Sequence, residues 1–513
     1  MLVNELLEYS ASLFPHKEAL IYKGERLTYG NIECMANQLA HSLMDMGIQR
    51  GERVTIYLHN SIETVVAVFA ILKAGAVFSI INRTTKFRKL AYILNDCEAK
   101  AIITDREAMN ILTKNKDQVP FLESIYVTKN QLYKKFEINT LFLQEIFATQ
   151  KTVKPKNQNI DIDLAALIYT SGSTGNPKGV MLTHLNIISA ATSITEYLEN
   201  MSSDIIINVL PLSFDYGLYQ VFMTFKFGGT LILEDSFSYP FAIIETILKE
   251  KATGFPIIPT IASILIRLKN LKKYRFEHLR YITNTAAHLP TSHIYKLREV
   301  FPKTKIYCMY GLTECKRVSY LPPEQLDIRP TSVGKGMPNE EVYVVNQKGM
   351  RVAPGEIGEL VVRGSNVMKG YWGLPEETAM ILKPGMYPWE QVLYTGDLFK
   401  IDEDGYLYFV ARKDDIIKSR GEKISPKEIE NIISDIPSVA EVAVVGVKDE
   451  MLGQAIKAII VKNHDYLLTK EEVKNHCAQN LEDIMVPQII EFREDLPKTA
   501  TGKVKKLELI QQR

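Results

Sequence analysis

The sequence predicts an α/β protein. A large N-terminal domain of layered α/β subdomains carries a β-rich subdomain, and a small α+β C-terminal domain follows. Three observations lead there. The chain has 513 residues, more than one hydrophobic core usually organises. Through roughly the first four hundred residues, short apolar runs alternate with helical stretches, the pattern of layered, largely parallel sheet. After about residue 330 the runs become short alternating strands around Gly and Asp turns, the mark of hairpins.

Each element follows in order. RVTIYLHN from Arg53 reads as a strand, and SIETVVAVFAILKAG follows as a helix that Ser61 can cap and Gly75 can end. AKAIITD from Ala99 is a further strand. GTLILED from Gly229 leads into a helix near AIIETILKEKATG, then the strand-like FPIIPT. EVYVVNQKGMRVAPGEIGELVVRG and LFKIDEDGYLYFVAR read as hairpins. Past the basic stretch RKDDIIKSRGEKISPKEIE comes a small α/β unit, with strands VAEVAVVGV and QAIKAIIVK and helix TKEEVKNHCAQNL. The change of texture puts a boundary near Asp414.

Apolar residues make up 46 % and charged residues 24 %, an ordinary globular balance. Lys and Arg number 61, Asp and Glu 60; a net charge of +1 gives no electrostatic case for nucleic acid or an anionic membrane as partner. The longest apolar run, VVAVFAIL from Val65, stops at Lys73, short of a membrane span. The N-terminus has no basic region before an apolar core, so no secretory signal is expected. Cys34, Cys97, Cys308, Cys315 and Cys477 lack CxxC spacing and read as reduced thiols of a cytoplasmic protein. The histidines form no metal-ligand pattern; His288 and His293 are spaced i,i+5.

The apolar run LAALIY from Leu164 reads as a buried strand, yet it ends in TSGSTGNPKG. The loop's backbone N–H groups, the hydroxyls of Thr170, Ser171, Ser173 and Thr174, and the Lys178 ammonium are all donors suited to phosphate oxygens. A loop leaving the end of a parallel strand lies where α/β folds bind ligands. The P-loop pattern GxxxxGK[ST] is absent, because Lys178 follows Pro177 and precedes Gly179. Taken alone, the stretch also fits a plain surface loop.

Four more motifs follow: YGLTE (Tyr310 to Glu314), YTGD (Tyr394 to Asp397), RKDDIIKSRG from Arg412 and PKTATGKVKK from Pro497. In order, spacing and wording the five resemble the adenylate-forming superfamily, over essentially the whole chain. That superfamily includes acyl- and aryl-CoA ligases, luciferases and the adenylation domains of nonribosomal peptide synthetases. The resemblance implies an N-terminal adenylation domain at 1–413 and a mobile C-terminal domain at 414–513. It implies ATP- and Mg²⁺-dependent activation of a carboxylate to an acyl-adenylate, with pyrophosphate release. The acyl group then passes to a thiol, of CoA or of phosphopantetheine on a separate carrier protein.

By the same resemblance, Thr170, Ser171, Gly172, Ser173, Thr174, Gly175 and Lys178 embrace the β- and γ-phosphates. Tyr310 stacks on adenine beside Gly311, Thr313 bonds phosphate oxygens, and Glu314 is the Mg²⁺ ligand, the hard oxygen donor such a cation takes. TNTAA from Thr283 stands where relatives carry glycine-rich residues against adenine, so Thr285, Ala286 and Ala287 line that edge, although Asn284 and Thr285 depart from the glycines. Asp397 takes both ribose hydroxyls. Phe409 packs on adenine, and Arg412 reaches ribose and phosphate. Lys503 is the catalytic lysine, stabilising charge as a carboxylate attacks the α-phosphate; Lys505 and Lys506 beside it read as solvated. Asp414 is the hinge. Gly421 lines the thiol tunnel, where a missing side chain lets pantetheine pass. Without the resemblance, Tyr310 is a core aromatic, Glu314 a surface acid, Asp397 a turn residue and Lys503 a tail lysine.

The substrate end is LPLSFDYGLYQVF from Leu210. Phe214 stands where many CoA ligases carry histidine, and the FD pair resembles amino-acid-activating domains, whose aspartate grips the α-ammonium. Asp215 is flanked by apolar residues, and a substrate ammonium suits a carboxylate held there. The plainer reading makes Asp215 a cap for the helix YGLYQVFMTF. Phe214, Asp215, Tyr216, Tyr219, Asn284 and Arg317 then form the pocket. The wording resembles stand-alone amino-acid ligases, among them prolyl-carrier-protein ligases, so a small amino acid is expected, proline first; the alternative is an acyl-CoA or aryl-CoA ligase. Arg317 could instead favour an acidic substrate. The sequence runs eleven residues beyond Gly502, so the thiol acceptor is expected to be a separate molecule. A luciferase-type oxidase and a silent ATP-binding protein are the other classes, and the intact Lys503 and Glu314 argue against the second.

Overall fold

The computed structural model describes the chain apart from residues 129–137, 157, 158, 172–176, 270, 287, 288, 414, 420, 421, 450, 451, 464–466, 500, 501, 512 and 513. Strand and helix alternate as expected. The strand Arg53–Tyr57 leads to the helix Ile62–Lys73, where the Ser61 hydroxyl accepts a hydrogen bond from the Thr64 N–H. Nearly every residue of that helix is buried, as its unbroken apolar run requires.

Two large sheets build the N-terminal domain. In the first, Val77–Ile80, Arg53–Tyr57, Ala101–Thr104, Ser124–Val127 and Asn139–Phe142 lie parallel. In the second, Thr230–Leu233, Ile205–Asn208, Gly254–Ile257, Tyr281–Asn284 and Lys305–Leu312 lie parallel. The buried helices Ile62–Lys73 and Asp215–Phe227 pack together, with the Phe69 and Phe225 rings stacked at 5.1 Å. One hydrophobic core spans residues of both sheets.

The β-rich region forms a five-stranded antiparallel sheet. Glu340–Val345 pairs Gly358–Gly364, which pairs Gln391–Ile401, which pairs Leu407–Arg412. The smaller C-terminal domain has its own five-stranded sheet, around Val439–Asp449 and Gly453–Lys462, with its own core. Its helix Lys470–Asn480 starts at a capping box between Thr469 and Glu472. Among the described residues no helix is long and apolar enough to cross a membrane.

The strand that enters the glycine–hydroxyl motif lies at a sheet border. Leu164–Ser171 is parallel to Val77–Ile80 on one side but antiparallel to Pro177–Thr183 on the other, with Thr170 opposite Lys178. The glycine–hydroxyl motif therefore joins two antiparallel strands, and the strand that leads into it marks the border between parallel and antiparallel sheet.

Candidate active site

The candidate nucleotide side assembles from two hairpins. YGLTE is the first: Thr313 and Glu314 turn between the antiparallel strands Lys305–Leu312 and Cys315–Leu321, with Leu312 opposite Cys315. The second pairs Asp397 directly opposite Arg412. The Tyr310 hydroxyl donates to Asp397 Oδ2 at 2.6 Å, and Arg412 Nε lies 3.2 Å from Asp397 Oδ1. Burial raises the Asp397 pKa, and Arg412, Tyr310 and Lys503 pull it back down. Tyr310 meets Phe399 edge-on at 4.9 Å, and Phe399 meets Phe409 edge-on at 5.5 Å. Phe399 links the two expected aromatics and was not anticipated; strand alternation from Asp397 was the signal that pointed to it.

Glu314 Oε1 accepts a hydrogen bond from the Tyr371 hydroxyl at 2.7 Å, and Lys178 Nζ lies 5.3 Å from the centre of the Tyr371 ring. Tyr371, also unanticipated, thus joins the far arm of the glycine–hydroxyl loop to the candidate metal ligand. No group of three or more His, Cys, Asp and Glu side chains gathers to hold a metal among the described residues. A Mg²⁺ ion held by one carboxylate with phosphate oxygens and waters fits that sparse donor set.

Thr285 is buried just beyond the strand Tyr281–Asn284, and Ala286 adopts φ +74°. That left-handed conformation is the one glycine takes without strain, so Ala286 holds it at some cost, while Asn284 and Thr285, the residues that depart from the glycines, take no positive φ. Gly311 backs onto the neighbouring strand: a Cβ there would sit 3.1 Å from the Arg317 Cα.

From the C-terminal domain, Lys503 closes a tight turn in which its N–H donates to Thr499 Oγ1 and its carbonyl accepts from the Thr499 N–H. Gly502 at φ +81° presses on the N-terminal domain, where an added Cβ would meet Ile258 Cδ1 at 2.9 Å. The Lys503 side chain keeps exposed surface. Partial desolvation and nearby Arg412 lower its pKa, and Asp397, Asp415 and Glu314 oppose the shift. Lys503 therefore faces the cluster built by the other domain. Lys506 is no solvated residue: its Nζ lies 2.8 Å from the buried Glu430 carboxylate.

The acyl side differs from expectation. Asp215 opens the helix Asp215–Phe227 as its first residue, after Phe214 in the cap position, and makes no cap hydrogen bond. Asp215 Oδ1 instead lies 3.2 Å from Lys316 Nζ, with both side chains buried. The carboxylate already has its cation, so it offers no vacant seat for a substrate ammonium. Neither the ammonium reading nor the cap reading describes it. Lys316 was missed because its partner comes from an element a hundred residues away. Burial lowers its pKa to about 8 despite the pull of Asp215. Phe214, Tyr216 and Tyr219 surround the Lys316 ammonium at 5.9, 5.2 and 5.3 Å from their ring centres. The Tyr216 hydroxyl bonds Thr283, next to the buried Asn284, and Arg317 lies over the Tyr216 ring.

Gly172, Ser173, Thr174, Gly175, Ala287, Asp414 and Gly421 lie outside the described residues, and Ser171 is described through its backbone.

With this geometry in view, the comparisons speak to family. Residues 7–372 match the AMP-binding enzyme family, and residues 428–503 match the AMP-binding enzyme C-terminal domain. A long-chain-fatty-acid–CoA ligase of Bacillus subtilis (strain 168) is 32 % identical, over 99 % of this chain and 94 % of that protein. ATP-bound MatB from Rhodopseudomonas palustris superposes with TM-score 0.88 at 28 % identity, covering 100 % of this chain and 99 % of its own. The anthranilate CoA ligase AuaEII, solved with anthranoyl-AMP, gives TM-score 0.89 at 27 % identity, covering 99 % and 96 %. The chain belongs to the AMP-binding enzyme family and is an AMP-forming acid–thiol ligase.

Proposed function

We propose that this ligase joins a carboxylic acid to coenzyme A, through an acyl-adenylate, with ATP as the activating substrate. One observation carries the reading: Lys503 of the C-terminal domain and Asp397, Arg412 and Glu314 of the N-terminal domain act on one another's charge. In the first step a carboxylate oxygen attacks the α-phosphorus of ATP, the bond to the bridging oxygen breaks, and pyrophosphate leaves. Lys503 and Arg412 stabilise the negative charge gathered there. Asp397 accepts the ribose hydroxyls, Tyr310 and Phe409 flank adenine with Gly311, Thr285, Ala286 and Ala287 along its edge, and Thr313 and the loop from Thr170 to Lys178 hold phosphate. Glu314 would hold Mg²⁺, which when bound offsets phosphate charge. In the second step the CoA sulfur attacks the acyl carbon, the bond to AMP breaks, and the thiol proton passes to solvent.

The division of labour assigns adenylation to 1–413 and the swinging lysine to 414–513, with Asp414 as pivot and Gly421 beside the incoming thiol. CoA as acceptor is supported by the relatives, which are named CoA ligases. Loading of proline or another amino acid onto a carrier protein loses its motivating residue, because Lys316 occupies Asp215. The test is incubation with ATP, Mg²⁺, CoA and a panel of fatty, aryl, dicarboxylic and amino acids, scored for AMP and acyl-CoA. AMP and acyl-CoA formed together support the reading. AMP formed with transfer only to a phosphopantetheine carrier protein overturns the choice of acceptor, and no AMP with any acid overturns the whole.

A further inference from the structure

We propose that Arg317 is a specificity-determining residue that binds a second carboxylate, so that the acid this ligase activates is a dicarboxylic acid. The inference rests on the ligase reading above and names its substrate class. Arg317 is only 2 % exposed, and its Nε and Nη1 are buried with no hydrogen-bond partner among the described residues. A guanidinium stays charged in proteins, so its burial calls for an anion. Among the described residues no carboxylate is paired with it. Asp215 is engaged by Lys316 at 3.2 Å, and the half-buried Glu340 accepts at Oε2 from the Asn366 amide. The cluster of Asp215, Lys316 and Arg317 thus holds two cations and one anion. The Arg317 guanidinium lies over the Tyr216 ring, with Cζ 5.1 Å from the ring centre. A cation–π contact is worth about 2 kcal/mol when desolvated and does not replace an ion pair. The Tyr219 hydroxyl, on the same helix as Asp215, is also buried without a partner. Arg317 and Tyr219 therefore bring to this region buried donors that have no hydrogen-bond partner among the described residues.

The place fits an acyl substrate. Arg317 lies in the strand that continues from Thr313 and Glu314, and Gly311 packs against its backbone. A carboxylate matches the fork of a guanidinium with two parallel hydrogen bonds, which a hydroxyl or a methyl cannot do. A long alkyl chain ending among these groups would leave the charges unpaired against methylenes, so the long-chain substrate of the Bacillus subtilis relative is not carried over. A substrate ammonium would add a third cation.

The test is ATP–pyrophosphate exchange with straight-chain acids of matched length, one series ending in methyl and the other in carboxylate, for the wild-type protein and Arg317→Met. Wild type is expected to favour the dicarboxylic series by about 10–100-fold in kcat/KM, the range of one or more charged hydrogen bonds. Arg317→Met should collapse that ratio towards one. Arg317→Lys, which keeps charge but loses the fork, should lower it partway. Dicarboxylic acid without ATP should raise the melting temperature of wild type and not of Arg317→Met. A wild type that prefers the methyl-ended series, or a ratio unchanged in Arg317→Met, overturns the inference and leaves the ligase reading standing. Should Arg317→Met fail to fold, the wild-type series and Arg317→Lys decide. No exchange with any acid overturns the ligase reading and this inference with it.

Discussion

The two halves of the site are built on opposite electrostatic plans. On the nucleotide side, Asp397 is shared between Tyr310 and Arg412, and Arg412 keeps 45 % of its side-chain surface exposed. Arg412 there reaches water, while its partner Asp397 is buried. On the acyl side, Asp215, Lys316 and Arg317 are 6, 5 and 2 % exposed, and their charges do not cancel. Exposed pairs are worth little and rearrange easily, whereas a buried pair cannot lose one member cheaply. A charge that reaches water, such as that of Arg412, is therefore cheaper to unpair than the buried charges around Asp215.

The comparison is most sharply broken at the buried pair. Asp215→Asn should cost about 3–5 kcal/mol of stability by stranding Lys316, and Asp215→Asn with Lys316→Met should recover most of it. Denaturant unfolding of the single and double variants checks this; an undisturbed single variant would mean the pair is not formed. On the other side, Lys503→Ala should lose adenylation by roughly 10²–10³-fold while leaving stability nearly unchanged. Thioester formation from supplied acyl-adenylate should largely survive, and equal loss of both half-reactions would give Lys503 a role in both. Tyr310→Phe removes one donor from Asp397 and should raise the KM for ATP by about tenfold, with the ring's packing kept; ATP titration of exchange measures it.

Two smaller effects refine the picture. Burial raises the pKa of Glu340 above its ordinary value of 4.5. The folded state then binds more protons than the unfolded state above that value. The contribution of this one group to stability is therefore greatest below about pH 4.5 and falls, by at most about 1.4 kcal/mol per pH unit for one proton, as pH rises towards its folded-state pKa. Glu340→Gln should remove that slope, seen as a flatter profile of melting temperature against pH. Ala286→Gly should relieve the left-handed strain at φ +74° and stabilise by about 1 kcal/mol, against the usual entropic cost of glycine. A fall in melting temperature would mean that the neighbours of Ala286 already absorb the strain.

Much of the nucleotide side could be read from contiguous motifs. Tyr310, Glu314, Asp397 and Arg412 each lie in a short contiguous motif, which made them legible, although Tyr310 and Glu314 meet their partners Asp397 and Tyr371 only across the fold. The capping by Ser61, the two β-rich hairpins and the Thr469 capping box were readable for the same reason. The acyl side was not. Asp215 looked like a receptor for an ammonium because its neighbours in sequence are apolar; its neighbour in space is Lys316. Tyr371 was missed for the same reason, as was the salt bridge from Lys506 to Glu430, whereas Phe399, two residues from Asp397 on one strand, was within reach of strand alternation.

By itself the sequence determined the alternation of strand and helix, the division into a large and a small domain, and the family. These follow from periodicity, caps and turn residues, whose information is local. Only the tertiary structure decided which charges meet. Pairing between Asp215 and Lys316, the unmatched Arg317, and the approach of Lys503 to Asp397 depend on elements far apart in the chain. Electrostatic energy depends on distance and burial, and neither is a property of sequence position.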